Sequence, residues 1–250
     1  VNVKISAVID RRYSEDMTAP NAYSSRWFES FHVGVAETRT EKEVGFICAC
    51  APLPDFQKVL DVCCGAGRHA RALAARRYTV TGVERDAAAV AQAREMEGGP
   101  SYIQADVRDY QPEPAAQDLA ILMSQSFGYF DAAANRDLLR QIAKGIRDGG
   151  RIILDVWNPE FFAAHQDERE LQTPTGLVHE TKRVEGNRLF VHLDYPGGGQ
   201  EDFEWQLFTP TEMRSMAEPV GLNLTIACTD FDAMTPPSPE NPRIQFVLQK

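Results

Sequence analysis

The chain has 250 residues, enough for one large domain or a core domain with an insertion, and its formal net charge is −10. With a pI near 5.0, that balance argues against a nucleic-acid backbone or an anionic membrane surface as main partner, since both are polyanions. No apolar run is long enough to span a bilayer, and the start of the chain lacks the basic-then-apolar layout of a secretion signal, so a cytoplasmic protein is expected.

Val1 to Ile9 alternates apolar and polar residues like a strand. Asp10 to Asn21 is charged and broken by Pro20, which reads as a loosely attached arm, with Met17 a plausible natural start. Tyr23, Trp27, Phe28 and Phe31 fall on one helical stripe, and a second helix is expected from about Glu37 to Cys50. Cys48, Cys50, Cys63, Cys64 and Cys228 are odd in number, include an adjacent pair and form no C-x-x-C repeat. They read as reduced, buried thiols and not as a metal or redox site.

Residues 59–69 carry the strongest signal. Val59-Leu60-Asp61-Val62 is an apolar run ending near an acid, Cys63-Cys64-Gly65-Ala66-Gly67 is a tight turn, and helical spacing follows through Arg77. Gly65 and Gly67 let a ligand lie against the main chain, and the free N–H groups that open the helix would face it. Residues 65–70 also satisfy the G-x-G-x-x-G/A pattern of dinucleotide-binding folds. Asp61 separates the readings: a nearby anion repels a pyrophosphate and attracts a cofactor that carries an ammonium and a sulfonium. With Asp61, Cys63, Gly65 and Gly67 in this order, the chain from about Trp27 onward resembles the class I, Rossmann-like S-adenosylmethionine-dependent methyltransferases.

The resemblance implies an α/β fold: a seven-stranded, mostly parallel sheet with helices on both faces and an antiparallel last strand. A strand over Thr79–Val83 ends in Glu84, and an acid at this tip can accept both ribose hydroxyls, with Arg85 beside it. Asp86 reads as the N-cap of a helix reaching about Glu97, ended by Gly98-Gly99-Pro100. After a strand over Tyr102–Ala105, the family pattern gives Asp106 the adenine amino group and the Val107 N–H a ring nitrogen. A fourth strand, Asp118–Met123, leads into Ser124-Gln125-Ser126-Phe127-Gly128-Tyr129-Phe130, which should border the transferring methyl group. Met123 is then a cofactor contact and Gln125, Phe127 and Tyr129 face the substrate, with core packing the alternative for both aromatics.

Methyltransferases that act on amines of bases or of glutamine often carry Asn/Asp-Pro-Pro-Tyr/Phe in that loop, and this chain does not. Asn158-Pro159-Glu160-Phe161 follows the fifth strand, the wrong place, so methylation of nucleic-acid amines loses support. A helix over Asn135–Arg147, a turn at Asp148-Gly149-Gly150 and a strand over Arg151–Trp157 containing Asp155 complete the pattern, with Trp157 at the pocket.

Composition changes after Phe161. Alternating runs over Leu177–Val184, Arg188–Tyr195 and Glu201–Phe208, with turns at Gly186-Asn187 and Gly197-Gly198-Gly199, read as a small antiparallel β insertion. Relatives that methylate small molecules carry such a roof over the substrate, and some dimerise through it, so monomer and homodimer both stay open. His165, His179 and His192 lack metal spacing. Thr209 to Glu212 opens a helix with the capping-box pattern, Thr209 or Thr211 being the cap, that Gly221 ends, and Leu224–Thr229 and Arg243–Leu248 are the last strands.

The expected organisation is an arm with lid helices over 1–50, a cofactor-binding core over 51–160, the insertion over 161–208 and the rest of the core over 209–250. The resemblance makes Tyr23, Arg26, Trp27 and His32 lid candidates, with Arg26 a possible partner for the cofactor's carboxylate. The implied chemistry is transfer from S-adenosylmethionine, leaving S-adenosylhomocysteine, to N or O of a small molecule without a metal. An oxygen acceptor would benefit from a base such as His32, Tyr23 or Tyr129, an amine needs only to arrive unprotonated, and no catalytic residue is assigned. A regulatory protein that binds the cofactor without transfer, and an NAD-dependent oxidoreductase, are the alternatives.

Overall fold

A computed structural model describes residues 21, 24–32, 36–96 and 98–250. The expected strand over residues 1–9, Met17 and Tyr23 lie outside them. After a short helical segment, Ser25–Trp27 running into a π-turn at Phe28–His32, the core alternates helix and strand. Its elements are α1 (Glu37–Cys50), β1 (Lys58–Val62), α2 (Arg68–Ala74), β2 (Thr79–Glu84), α3 (Ala87–Glu95), β3 (Ser101–Gln104), β4 (Gln117–Leu122), α4 (Ala132–Gly145) and β5 (Ile146–Trp157). There follow α5 (Pro159–Ala164), β6 (Glu168–Thr173), β7 (Gly176–Glu185), β8 (Arg188–Asp194), β9 (Gln200–Gln206), α6 (Pro210–Ala217), β10 (Asn223–Cys228) and β11 (Arg243–Gln249).

Seven strands form one sheet in the order β10-β11-β5-β4-β1-β2-β3, with β11 antiparallel to both of its neighbours. The apolar runs of β1, β4 and β5 are buried on both faces, as central parallel strands require. One core layer packs α4 and α6 on the sheet through Leu138, Leu139, Ile142 and Met213, and the other packs α1, α2 and α3 through Ile47, Leu73 and Val90. The α3 cap is as expected, Asp86 accepting from the Ala89 amide at 2.7 Å, and Thr209 and Glu212 close a capping box on α6.

Two expectations need correction. Asp148-Gly149-Gly150 lies inside β5 and not before it: pairing with β4 runs from Gln117 opposite Ile146 to Leu119 opposite Arg151, so the glycines form a bulge within the strand. Gly149 takes φ +75° there, which a side chain resists. The insertion has four strands, in the order β6-β7-β8-β9. The unforeseen one, Glu-Arg-Glu-Leu-Gln-Thr in β6, is a mostly exposed edge without apolar alternation, and charges there discourage further pairing. Phe161 belongs to α5, whose N-cap is Asn158: its side chain accepts from the Glu160 amide at 3.0 Å and donates to the Ser238 and Asn241 carbonyls, both at 2.7 Å. Asn158-Pro159 is thus a helix start, with proline in the first turn.

Two fully buried carboxylates tie these elements together, Glu43 in α1 and Asp155 in β5. Glu43 accepts from Arg68 Nη1 at 2.6 Å and Arg39 Nε at 2.9 Å, and its Oε2 lies 2.8 Å from His69 Nε2. Burial alone would raise its pKa, but the His69 hydrogen bond and the Arg68 charge hold it well below the usual range. Burial lowers His69 to about 4 against the pull of Glu43, so an ionised Glu43 accepts from a neutral imidazole. Asp155 accepts from Arg243 Nε at 3.0 Å, Gln245 Nε2 at 2.8 Å, the Ser124 amide at 3.0 Å and Arg243 Nη2. Arg243 also stands 3.8 Å from Glu43, which closes the network.

Removing one member of such a network strands the others' charges in a dry interior. Glu43→Ala is therefore expected to lower the unfolding free energy by about 3–5 kcal/mol, read from urea melts at neutral pH. A loss below about 1 kcal/mol would show that solvent reaches the arginines.

Candidate active site

In an open α/β sheet, ligands lie beyond the carboxyl ends of the strands. Three neighbouring strands here end at acids. Asp61 is on β1, Glu84 ends β2, and Asp106 follows β3. Their convergence is visible at Cys63, whose thiol is pushed far up by burial and then by Glu84, with Asp61 and Asp106 adding to the effect and Arg85 opposing it. Cys63 itself has φ +58°, a left-handed turn residue directly after β1.

Each acid is held differently. Asp61 is 1% exposed, and its Oδ2 has no hydrogen-bond partner among the described residues. Burial raises its pKa to about 7, Arg68 and the Ala70 amide pulling it down and Glu84 pushing it up. An unpaired buried carboxylate oxygen is costly, and a cation supplied by a ligand would satisfy it. Glu84 accepts from three amides, Gly65 at 3.0 Å, Arg85 at 2.8 Å and Asp86 at 3.0 Å, so it braces the glycine turn from the next strand. Asp106 is lowered chiefly by its hydrogen bond with Arg108, which donates from Nη2 at 2.7 Å and Nε at 2.9 Å. Sequence reasoning missed Arg108, for which an arginine two residues after the acid is the only signal.

Gly67 has φ +76°, and a Cβ there would lie 2.3 Å from the Tyr102 hydroxyl. The second glycine is thus required by packing against β3 as well as by the turn. Val107 is buried in the core, and its carbonyl accepts from Gln141 Nε2 at 3.4 Å. The Met123 side chain is also buried in the core.

The loop after β4 is strained. Ser124 and Gln125 take φ +54° and +60°, left-handed values uncommon for residues other than glycine. The network described above enforces them. The Gln125 amide donates to the Asp155 carbonyl at 2.9 Å, Arg68 Nη2 reaches Ser124 Oγ at 3.3 Å, and the Gln125 side-chain oxygen, with its amide turned to match its neighbours, accepts from Arg243 Nε at 2.9 Å.

The substrate candidates divide. Phe127 is 1% exposed and packs on Phe208 at 5.3 Å between ring centroids, so it fills the core and does not line a pocket. Trp27, Tyr129 and Trp157 come together on the inner face of the insertion. Tyr129 and Trp157 lie 5.7 and 6.1 Å from Trp205, and Trp27 lies 6.4 Å from Phe203, which stacks on Trp205. Trp205 and Phe203 were missed, since strand alternation marks them only as inward-facing. Arg26 does not face the cofactor ends: it donates to the Gly198 carbonyl and lies 5.4 Å above the Tyr195 ring. His32 ends the π-turn. The insertion histidines have local roles: His165 stacks on Phe161, His179 faces Glu170 at 3.3 Å and His192 faces Asp202 at 2.6 Å. Among the described residues no three potential ligands are grouped to hold a metal.

Residues 59–150 match a family model described as a methyltransferase domain. A curated relative, dTDP-3-amino-3,6-dideoxy-alpha-D-glucopyranose N,N-dimethyltransferase from Streptomyces fradiae, is 29% identical over 146 residues, a match spanning 56% of this chain and 57% of that protein. Among solved structures, a SAM-dependent methyltransferase from Clostridium acetobutylicum superposes with a TM-score of 0.72 at 14% identity, covering 99% of this chain and 98% of the other. A SAM-bound amino pentose methyltransferase from Micromonospora echinaspora, involved in calicheamicin biosynthesis, gives 0.68 at 18% identity over 92% and 99%. The glycine turn with its three acids, the strand order and these matches agree: residues 59–150 form a methyltransferase domain, and the chain as a whole has the fold of S-adenosylmethionine-dependent methyltransferases.

Proposed function

We propose that the protein transfers a methyl group from S-adenosylmethionine to an amine nitrogen of a small molecule, with an amino sugar as the acceptor class. The observation that carries the cofactor half is the convergence of Asp61, Glu84 and Asp106 on three adjacent strand ends, with Asp61 Oδ2 unpaired among the described residues. A pyrophosphate would meet three carboxylates there. The acceptor half is supported by the curated relative, named as an N,N-dimethyltransferase of an amino dideoxy sugar nucleotide, and by the amino pentose enzyme of like fold.

When bound, S-adenosylmethionine supplies a methyl carbon already activated by its positively charged sulfur. Asp61 would hold the ammonium, Glu84 the ribose hydroxyls, and Asp106 with the Val107 amide the adenine. The aromatic cluster of Trp27, Tyr129 and Trp157 would form the wall for the acceptor. These rings would exclude water and, through their faces, stabilise the positive charge that develops on an unprotonated amine as it takes the methyl group. In-line transfer to an amine needs no protein nucleophile, so the residues act by holding the two reactants in line.

The deciding experiment is calorimetric binding of S-adenosylmethionine and S-adenosylhomocysteine, followed by methyl release against pools of amino sugars, free and nucleotide-linked, and of phenols. Binding of both with turnover on an amino-sugar pool is expected; turnover confined to phenols would overturn the amine reading. Glu84→Ala should weaken S-adenosylhomocysteine binding roughly 10- to 100-fold, as expected for lost hydrogen bonds to a charged group. An unchanged dissociation constant would remove Glu84 from the site.

The pH dependence has a defined sign. The ligand ammonium favours ionised Asp61, whose carboxyl titrates near 7, so S-adenosylmethionine affinity should rise as pH climbs through about 7. It should fall again once the ligand's α-amino group loses its proton, at about 8. In Asp61→Asn both limbs should flatten, since each reports the same attraction between carboxylate and ammonium, read by calorimetry from pH 5.5 to 9.

A further inference from the structure

The two ends of the loop after β4 are fastened to different parts of the fold. Ser124 and Gln125 are held to the core by Asp155, Arg68 and Arg243. Residues 127–130 are held to the end of β9 instead. The Gln206 amide donates to the Gly128 carbonyl at 2.7 Å, and the rings of Phe127 and Tyr129 meet those of Phe208 and Trp205. Gly128 takes φ +104°, and a Cβ there would lie 2.6 Å from the Gln206 carbonyl oxygen, so the two backbones approach as closely as only glycine allows.

A buried pair of side-chain amides completes the fastening. Asn135, near the start of α4, is fully buried, and Gln206 is 7% exposed. Asn135 Nδ2 donates to Gln206 Oε1 at 2.8 Å and to the Phe130 carbonyl at 2.7 Å, and its Oδ1 accepts from the Phe130 amide at 3.2 Å. Arg188 Nη1, from β8, adds a bond to the Phe130 carbonyl at 3.1 Å. Both backbone groups of Phe130 are thus taken by one side chain that is itself bonded to the insertion. Breaking such a pair leaves buried amide groups without partners, so the arrangement holds its geometry firmly. Tyr129 lies between the two clamped residues. The place of its ring is set by β9 and α4, not by the strand that leads into the loop.

We propose that Gln206 and Asn135 are positioning residues for the acceptor: by clamping Gly128 and Phe130 they fix Tyr129, so that the insertion governs acceptor use while the core governs cofactor binding. This rests on the reading of Trp27, Tyr129 and Trp157 as the acceptor wall. The clamp bears on the two reactants unequally. Misplacing an acceptor by about 1 Å can cost on the order of a hundredfold in rate. Toward the cofactor, a link runs through Arg108, which pairs with Asp106 and lies 5.0 Å above the Phe130 ring. Its side chain is 40% exposed, and a cation–π contact at such a site changes binding by no more than about fivefold.

The test compares Gln206→Met, which keeps the side chain's length and removes the oxygen that Asn135 reaches, with Gly128→Ala, which forces the two backbones apart. Initial rates are measured on the amino sugar fractionated from the pool that the parent methylates, and cofactor binding by calorimetry with S-adenosylhomocysteine. Both variants are expected to lose about tenfold or more in acceptor kcat/KM, while the Kd stays within about fivefold of the parent. Either variant carries the test if the other does not fold. Val178→Ala opens a cavity in the same insertion, on β7, two strands from β9, and controls for stability. It should lower the melting temperature and leave kcat/KM unchanged. A folded Gln206→Met or Gly128→Ala with the parent's kcat/KM would overturn the positioning role. So would a Kd that weakens in step with kcat/KM, which would make the clamp a support of the whole cleft. If the parent binds S-adenosylhomocysteine but methylates no amino-sugar pool, the acceptor reading falls first and takes the positioning role with it, an outcome distinct from parent turnover that the variants leave unaltered.

Discussion

Everything at the strand ends depends on two carboxylates from which water is shut out. Glu43 and Asp155 would be prohibitively unstable alone in an apolar interior, and guanidinium groups from α1, α2 and β11 make them tenable. The arrangement is expensive in desolvation and adds little net stability. Its value lies in geometry: Asp155 takes the Ser124 amide and positions Arg243 on Gln125, so two left-handed residues are held where a relaxed chain would not put them. Backbone strain persists only where the surroundings over-determine it, and here they do so with charge.

The same network sets the relation between the two halves of the site. Arg68 stands on Glu43, touches Ser124 and lowers the pKa of Asp61. One guanidinium thus influences both the acid beside the glycine turn and the loop proposed to border the acceptor. Aromatic rings from β5, the β4 loop and β9 meet in the insertion core, so this cluster is built from segments distant in sequence.

The parts legible in the sequence are those set by local chemistry. The order of acids after β1, β2 and β3, the Asp86 and Thr209 caps, and the hairpin turn at Gly186-Asn187 follow from residue type and spacing, and the structure holds each where it was expected. What escaped was of another kind. Strand β6 has no apolar period because it is a solvent-facing edge, and its pairing is decided by β7. Phe127 and Tyr129 look alike in sequence, and only the packing of Phe208 and Trp205 tells core from wall. Arg243 reads as the start of a strand, while its partner Asp155 lies 88 residues earlier. Long-range ion pairs and ring contacts carry no local signature.

The position of β11 has a consequence for how the molecule is made. This strand follows every other element in the chain, yet it sits inside the sheet, between β10 and β5, and delivers Arg243 and Gln245 to Asp155. A nascent chain can pair β1, β2, β3, β4 and β5 as they leave the ribosome, but Asp155 stays without its cation until residue 243 has emerged. Sequence-distant pairing of this kind is slow to form and sensitive to truncation. The loop proposed to border the acceptor is thus fixed only when β11 has paired, and a polypeptide released before β11 would leave Asp155 and Gln125 without the guanidinium that joins them.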